Sequence, residues 1–243
     1  MYISPYIVNT NHIVEVMSDE WIRNTFFSAV IIFVLLVGSS YLKKQVNIYI
    51  TYIMGIALFV SSITSPLRTY LAGNFSIAID LPFHLCGISA FVCSIMPFLK
   101  NKQGLFNFVY YTGIIGGLMG ILTPQMTDYD GSFYVYFVFY LRHVLIFTMP
   151  IFMLRNLNLK LTQKSMVSTF VILNLLLIFL MPFNFYVGGN YMYLAEPPQV
   201  NNPLIIGEWP YYVIWFEVFV IILLILLYYL SKISFRKTKT ELV

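Results

Sequence analysis

Apolar residues along this chain gather in seven runs, each long enough to cross a lipid bilayer as a helix. The runs are Ile22–Leu42, Ile48–Tyr70, Ile77–Phe98, Leu105–Leu122, Phe133–Leu154, Met166–Tyr186 and Tyr211–Leu230. Short polar connections separate most of them, as antiparallel neighbours in a bundle require. The exception is Val187–Pro210, where Pro197, Pro198, Pro203, paired glycines and several asparagines read as a lid, a re-entrant loop or a plain linker. The pattern predicts an all-α polytopic bundle of about seven transmembrane helices, forming a single domain over residues 1–243.

Composition agrees with that pattern. Of the 243 residues, 59% are hydrophobic and only 10% are charged, against about 25% charged in a soluble domain. The mean hydropathy is +0.80. Such a chain cannot cover itself in water, so lipid is its expected solvent. The basic surplus is not interleaved with exposed aromatics, which argues against a nucleic-acid partner. The first twenty residues carry His12, Glu15, Asp19 and Glu20 and no positive n-region, so the first helix is expected to be retained rather than cleaved.

Charge sets the expected orientation. The connections after the first, third and fifth runs, with the tail after the seventh, hold 11 of the 14 Lys and Arg residues. The positive-inside rule then places the N-terminus outside and the C-terminus in the cytoplasm. Residues 1–21 become an extracytoplasmic segment, residues 231–243 a basic cytoplasmic tail, and a bacterial cytoplasmic membrane the expected location.

The remaining three basic residues are Arg23, at the start of the first run, and Arg68 and Arg142, which lie within predicted spans together with Asp80, His84, His143 and Glu217. An ionisable group at mid-helix costs about 2.5–3.5 kcal/mol or more and usually faces the bundle interior, so each is a candidate functional residue. Counting depth from the helix ends puts Arg68, Asp80, His84 and Glu217 in the outer half, with Arg142 and His143 somewhat above or near the midplane, and none in the inner half. One explanation is purely structural, with Arg68 and Arg142 neutralising Asp80 and Glu217 as buried ion pairs that fix register. The histidines, with Cys86 two residues beyond His84, suggest chemistry instead. Pro82 is compatible with a first helical turn and Asp80 with its N-cap, so the third helix is a candidate for a start recessed below the membrane surface. A helix N-terminus near Cys86 would favour a thiolate, with His143 as the preferred base and His84 as the alternative. Cys86 and Cys93 are too far apart along one helix for a disulfide, and Cys93 reads as a small buried hydrophobe. Gly113, Gly116, Gly117 and Gly120 form a small-residue face suited to close helix packing. Asp80, His84, Cys86 and His143 are permissible zinc ligands, but no local spacing specifies a metal site, and no cofactor motif is present.

The order Leu81-Pro82-Phe83-His84-Leu85-Cys86, Thr123-Pro124, Arg142-His143, Asn190-Tyr191-Met192-Tyr193 and Trp209-Pro210-Tyr211-Tyr212 resembles the YwaF-like family of bacterial integral membrane proteins over nearly the whole chain. That family is similar, more distantly, to a eukaryotic multi-pass acyltransferase of ether phospholipids that works through a cysteine acyl intermediate. The resemblance implies thiol-based acyl transfer or lipid hydrolysis in the outer half of the bilayer. Cys86, His143 and His84 would be catalytic, and Arg68, Arg142, Asp80, Glu217, Asn190 and Tyr193 would contact a phospholipid or lysophospholipid. The alternative is a transporter or a lipid- or small-molecule-binding protein using the same intramembrane Arg, Asp, His and Glu residues.

Overall fold

A computed structural model describes residues 10–200 and 205–233. Its helices are α1 (Asp19–Gly38), α2 (Lys44–Leu71), α3 (Leu85–Ile95), α4 (Gln103–Leu122), α5 (Phe133–Asn156), α6 (Gln163–Val187) and α7 (Tyr211–Leu230). Six of these are long and apolar enough to cross a membrane, and α3 is the exception. The chain is thus a multi-pass helix bundle. Most of the basic tail and the first nine residues of the N-terminal segment lie outside the described residues, as does Pro203.

The helix boundaries follow local chemistry. Ser18 caps α1 by accepting from the Trp21 N–H, with Asp19 and Glu20 in its first turn. Ser132 caps α5 in the same way. Thr162 and Ser165 form a reciprocal capping box at the start of α6, and Gly188, at φ 68°, closes that helix in the left-handed region that glycine enters without a steric penalty.

Helices α4 and α5 form the centre of the bundle, while α1, α6 and α7 keep most of their apolar side chains on the outside. Such faces suit lipid contact. The central pair approaches at backbone distance because of glycine. A Cβ on Gly113 would lie 2.6 Å from the Ile146 carbonyl oxygen, and one on Gly117 would lie 2.7 Å from that of His143. This is small-residue packing. Toward the end that carries the lysines, buried polar pairs cross between helices, including Asn47 with Asn156 at 3.0 Å and Ser89 with Thr112 at 3.0 Å.

Two features depart from the sequence reading. The third apolar run is not a helix throughout. Residues 77–84 form turns, and α3 begins only at Leu85, followed by a 3-10 turn at Met96–Phe98. At 11 residues, α3 is about 16 Å long, roughly half the hydrocarbon thickness. Its start is recessed, but its N-cap residue is His84 rather than Asp80. The Asp80 carboxylate instead accepts from the Ser76 N–H at 2.7 Å and closes the preceding turn. The loop then folds back so tightly that a Cβ on Gly87 would meet the Pro82 carbonyl oxygen at 2.9 Å. The second departure is a small antiparallel sheet, in which β1 (Thr10–Ile13) pairs with β2 (Gln125–Tyr129) between α4 and α5. It lies at the end of the bundle opposite the lysine-bearing connections and is called the hairpin end below.

At that end Arg68, in the last turn of α2, pairs with Asp130 just beyond β2. Burial opposes ionisation of Asp130, but hydrogen bonds from Ser132 and the Arg68 guanidinium outweigh it and hold the carboxyl below its ordinary value of 3.8. A depressed folded value means that the unfolded chain binds the proton more readily. The stabilisation is therefore present above pH 3.8 and is lost as pH falls through the folded value. Asp130→Asn is expected to lower the apparent Tm in detergent at pH 7 by about 4 °C. The gap from wild type should close on acidification below pH 3.8, as followed by circular dichroism.

Candidate active site

The recessed start of α3 opens a cavity of about 380 Å³ in the hairpin half of the bundle. Seven of the residues singled out by sequence reach its wall, namely Asp80, His84, Cys86, Arg142, His143, Tyr193 and Glu217. Its inner part is apolar, formed by Leu173 and Leu177 of α6 and by Phe216, Phe219, Val220 and Leu223 of α7. Its hairpin side is more polar, with Gln125, Thr127 and Asp128 of β2. The space is therefore amphipathic.

Glycines on α4 hold the two sides of the site together. Gly116 faces Cys86, whose backbone nitrogen lies 3.4 Å from where a Cβ would stand. One turn further on, Gly120 faces the His143 ring, whose Nε2 lies 2.3 Å from the corresponding Cβ position. Cys86 and His143 thus flank consecutive turns of one helix face, about 6 Å apart along its axis. Both cysteines are free. Cys86 is the second residue of α3, and its own N–H and that of Gly87 bear on its sulfur. Cys93 is fully buried in the hydrophobic core.

The histidines are held in opposite tautomers. His143 Nδ1 lies 2.7 Å from the Phe139 carbonyl oxygen, which can only accept, so the proton sits on Nδ1 and Nε2 is left as an acceptor. His84 Nδ1 accepts from the Met192 N–H at 3.3 Å, so its proton sits on Nε2. His84 occupies the N-cap with extended backbone, at φ −68° and ψ 151°. The separation of about 200° that a regular helix would impose between it and Cys86 therefore does not apply. The two imidazoles lie within electrostatic reach of each other.

The Pro-rich connection after α6 covers this site. Its 3-10 turn, Tyr191–Tyr193, is fixed by Asn184, which exchanges bonds of 2.8 and 2.9 Å with the Tyr191 backbone. The Tyr191 hydroxyl donates to the Ile77 carbonyl at 2.6 Å. Met192 and Tyr193 both adopt φ 56°, a strained conformation for such side chains, where the cover meets the cavity. Gln125 ties the next part of the connection to β2 by accepting from the Gln199 and Val200 N–H groups.

Other expected placements are corrected. Arg68 and Arg142 do not neutralise Asp80 and Glu217. Arg68 turns to Asp130, and Glu217 accepts from Asn174 of α6 at 3.0 Å. Neither Arg68 nor Asn190 is on the cavity wall. Asn190 is a loop clamp, with its side chain bonded to the backbone of Ala195 and Glu196. Arg142 makes no hydrogen bond or ion pair among the described residues. Its electrostatic neighbours are Cys86, His143 and Asp128. Asp128 is the notable addition. No local pattern marks it as part of a site, and pairing with the N-terminal strand is what turns β2 over the cavity. Burial pushes its carboxyl above the usual carboxylate range, against the pull of Arg142 and Arg68. Among the described residues no group of three His, Cys, Asp or Glu side chains is arranged to hold a metal.

Comparison with known proteins gives a family model described as the TMEM164 family, matching residues 9–228, in place of the YwaF-like grouping. A protein of Treponema pallidum described as uncharacterized is 27% identical over 119 residues, which is 49% of this chain and 49% of the relative. The chain thus aligns with about half the length of that relative. No solved structure matches.

Proposed function

The chain belongs to the TMEM164 family, and on that premise we propose that it is an integral membrane enzyme that moves an acyl chain through a thioester on Cys86. The observation that carries the reading is that a thiol at a recessed helix N-terminus and a histidine with its Nε2 left unprotonated line the same amphipathic cavity. The positive-inside distribution of lysines puts the hairpin end on the non-cytoplasmic side, so the substrate is a lipid of that leaflet. In a bacterium the membrane is the cytoplasmic one.

The chemistry follows from the geometry. The Cys86 thiol gives its proton to His143 Nε2, directly or through one water, and the sulfur attacks the carbonyl carbon of a lipid ester. The C–O bond breaks, the leaving oxygen takes the proton from His143, and the acyl chain remains on Cys86 as a thioester. A lysolipid hydroxyl or a water then repeats the sequence in reverse and restores the thiol. Arg142 is the available partner for the lipid phosphate, because guanidinium matches it bidentately and Arg68 is already engaged by Asp130. The apolar inner wall takes the acyl chain. The cavity reaches inward only to Leu173 and Leu223, near the middle of their helices, which favours turnover within one leaflet over transport across the membrane.

Incubating purified protein in detergent with a p-nitrophenyl ester of a long-chain fatty acid tests the reading. An acyl adduct mapped to Cys86 by peptide mass spectrometry is expected. Absence of an adduct, or its appearance at Cys93, overturns it.

A further inference from the structure

Taking the acyl-transfer reading as its basis, we infer that the two cavity histidines have fixed and different roles, His143 accepting the thiol proton and His84 donating the hydrogen bond that holds the substrate carbonyl oxygen. The inference rests on the partners of the two rings. A backbone carbonyl has no proton to give, so Nδ1 of His143 carries one and Nε2 presents a lone pair. A backbone N–H has no lone pair to offer, so Nδ1 of His84 is bare and Nε2 presents a proton. One ring offers the cavity an acceptor and the other a donor.

The surroundings keep them so. His84 is stacked edge-on against Tyr191 at 5.4 Å and lies 5.3 Å from the Tyr193 ring, so it cannot rotate freely. The strained φ of Met192 aims the N–H that fixes its tautomer. His143 is pinned between Phe139, 4.2 Å away ring to ring, and Gly120.

In acylation the Cys86 S–H proton passes to His143 Nε2, the C–S bond forms, and the carbonyl π electrons move to oxygen. His84 Nε2–H holds that oxyanion by hydrogen bonding without giving up its proton. The oxyanion then collapses, the ester C–O bond breaks, and the leaving oxygen receives the proton from His143. Deacylation uses the same two groups in the same two roles.

Two substitutions at one position separate this assignment from its rivals. His84→Gln sets an amide N–H close to the Nε2 position but gives up the acceptor for Met192. His84→Asn sets an amide oxygen close to Nδ1, keeping the Met192 bond, but has no donor at Nε2. Acylation by the p-nitrophenyl ester is timed by nitrophenolate release, with wild type and His143→Gln alongside. His84→Gln should stay within about tenfold of wild type, and His84→Asn should fall about 10²-fold, as for loss of one oxyanion donor. His143→Gln should lose about 10²-fold or more, as for loss of a general base. Asn equal to or faster than Gln would assign His84 to holding the cover in place and overturn the inference. Equal rates for the two variants, whether unimpaired or as slow as His143→Gln, overturn it as well. Wild type that forms no adduct on Cys86 defeats the acyl-transfer reading itself, a result distinct from any pattern among the His84 variants.

Discussion

Gly120→Ala is expected to cut acylation of Cys86 by about 10²–10⁴-fold, the range set by loss of a general base, while leaving the bundle folded. The added methyl would stand 1.9 Å from His143 Cδ2 and 2.3 Å from Nε2, where no atoms can coexist. What gives way is a side chain, since the nearest atoms all belong to the imidazole. The ring must swing off the bond that Nδ1 makes to the Phe139 carbonyl, and its Nε2 then leaves the position it holds beside Gly120. Helix α4 itself gains, because alanine is favoured over glycine in a helix interior by about 1 kcal/mol. Two neighbours provide the contrast. At Gly113 and Gly117 the methyl meets backbone carbonyls of α5, which cannot swing aside, so those alanine variants should lower Tm and expression along with activity. At Gly104 nothing lies within 4 Å, and alanine there should be silent. Adduct formation by mass spectrometry beside thermal unfolding in detergent reads the two effects separately. A fully active Gly120→Ala protein would remove His143 from the chemistry.

The same glycines show how far the sequence could be read. Their spacing announced a small-residue face on α4, and Gly113 and Gly117 do serve helix packing. That Gly116 and Gly120 instead make room for Cys86 and His143 depends on which helices lie alongside, which the spacing of one helix does not encode. Six spans were legible within a few residues, because lipid as solvent leaves a long apolar run no other regular structure. The third was overread. A coil buried against protein inside the membrane is as apolar as a helix, and the break is marked locally only by Pro82 and by Gly87, which must lie against the Pro82 carbonyl. Depth placed the ionisable residues in one half of the bundle but could not pair them. Asp130, Arg68's partner, sits 62 positions away in a connection. Asp128 was missed for the same reason, since its place over the cavity depends on a strand pairing across more than a hundred residues. The histidine tautomers lay furthest from view, because the proton on His84 is positioned by Met192, 108 residues away.

Arg142→Met should weaken the use of phospholipid far more than that of an uncharged ester. The guanidinium lies on the cavity wall with no ion-pair partner among the described residues, while Arg68 is consumed by Asp130. A charge kept at the wall of a largely apolar cavity is costly unless something completes it, and in the proposed reaction a substrate phosphate would do so with two parallel hydrogen bonds. Removing one member of a buried charge pair costs about 2–5 kcal/mol, or roughly 30- to several-thousand-fold in KM. Methionine keeps the length and packing of the side chain. The p-nitrophenyl fatty acid ester carries no phosphate and should acylate Cys86 at a rate within about tenfold of wild type, because the thiol, the base and the oxyanion donor are untouched. Measuring both substrates on one preparation decides the role of Arg142. A selective rise in KM for phospholipid assigns it to the headgroup. An equal loss with both substrates would mean that it supports Cys86 or His143, which also lie in its field.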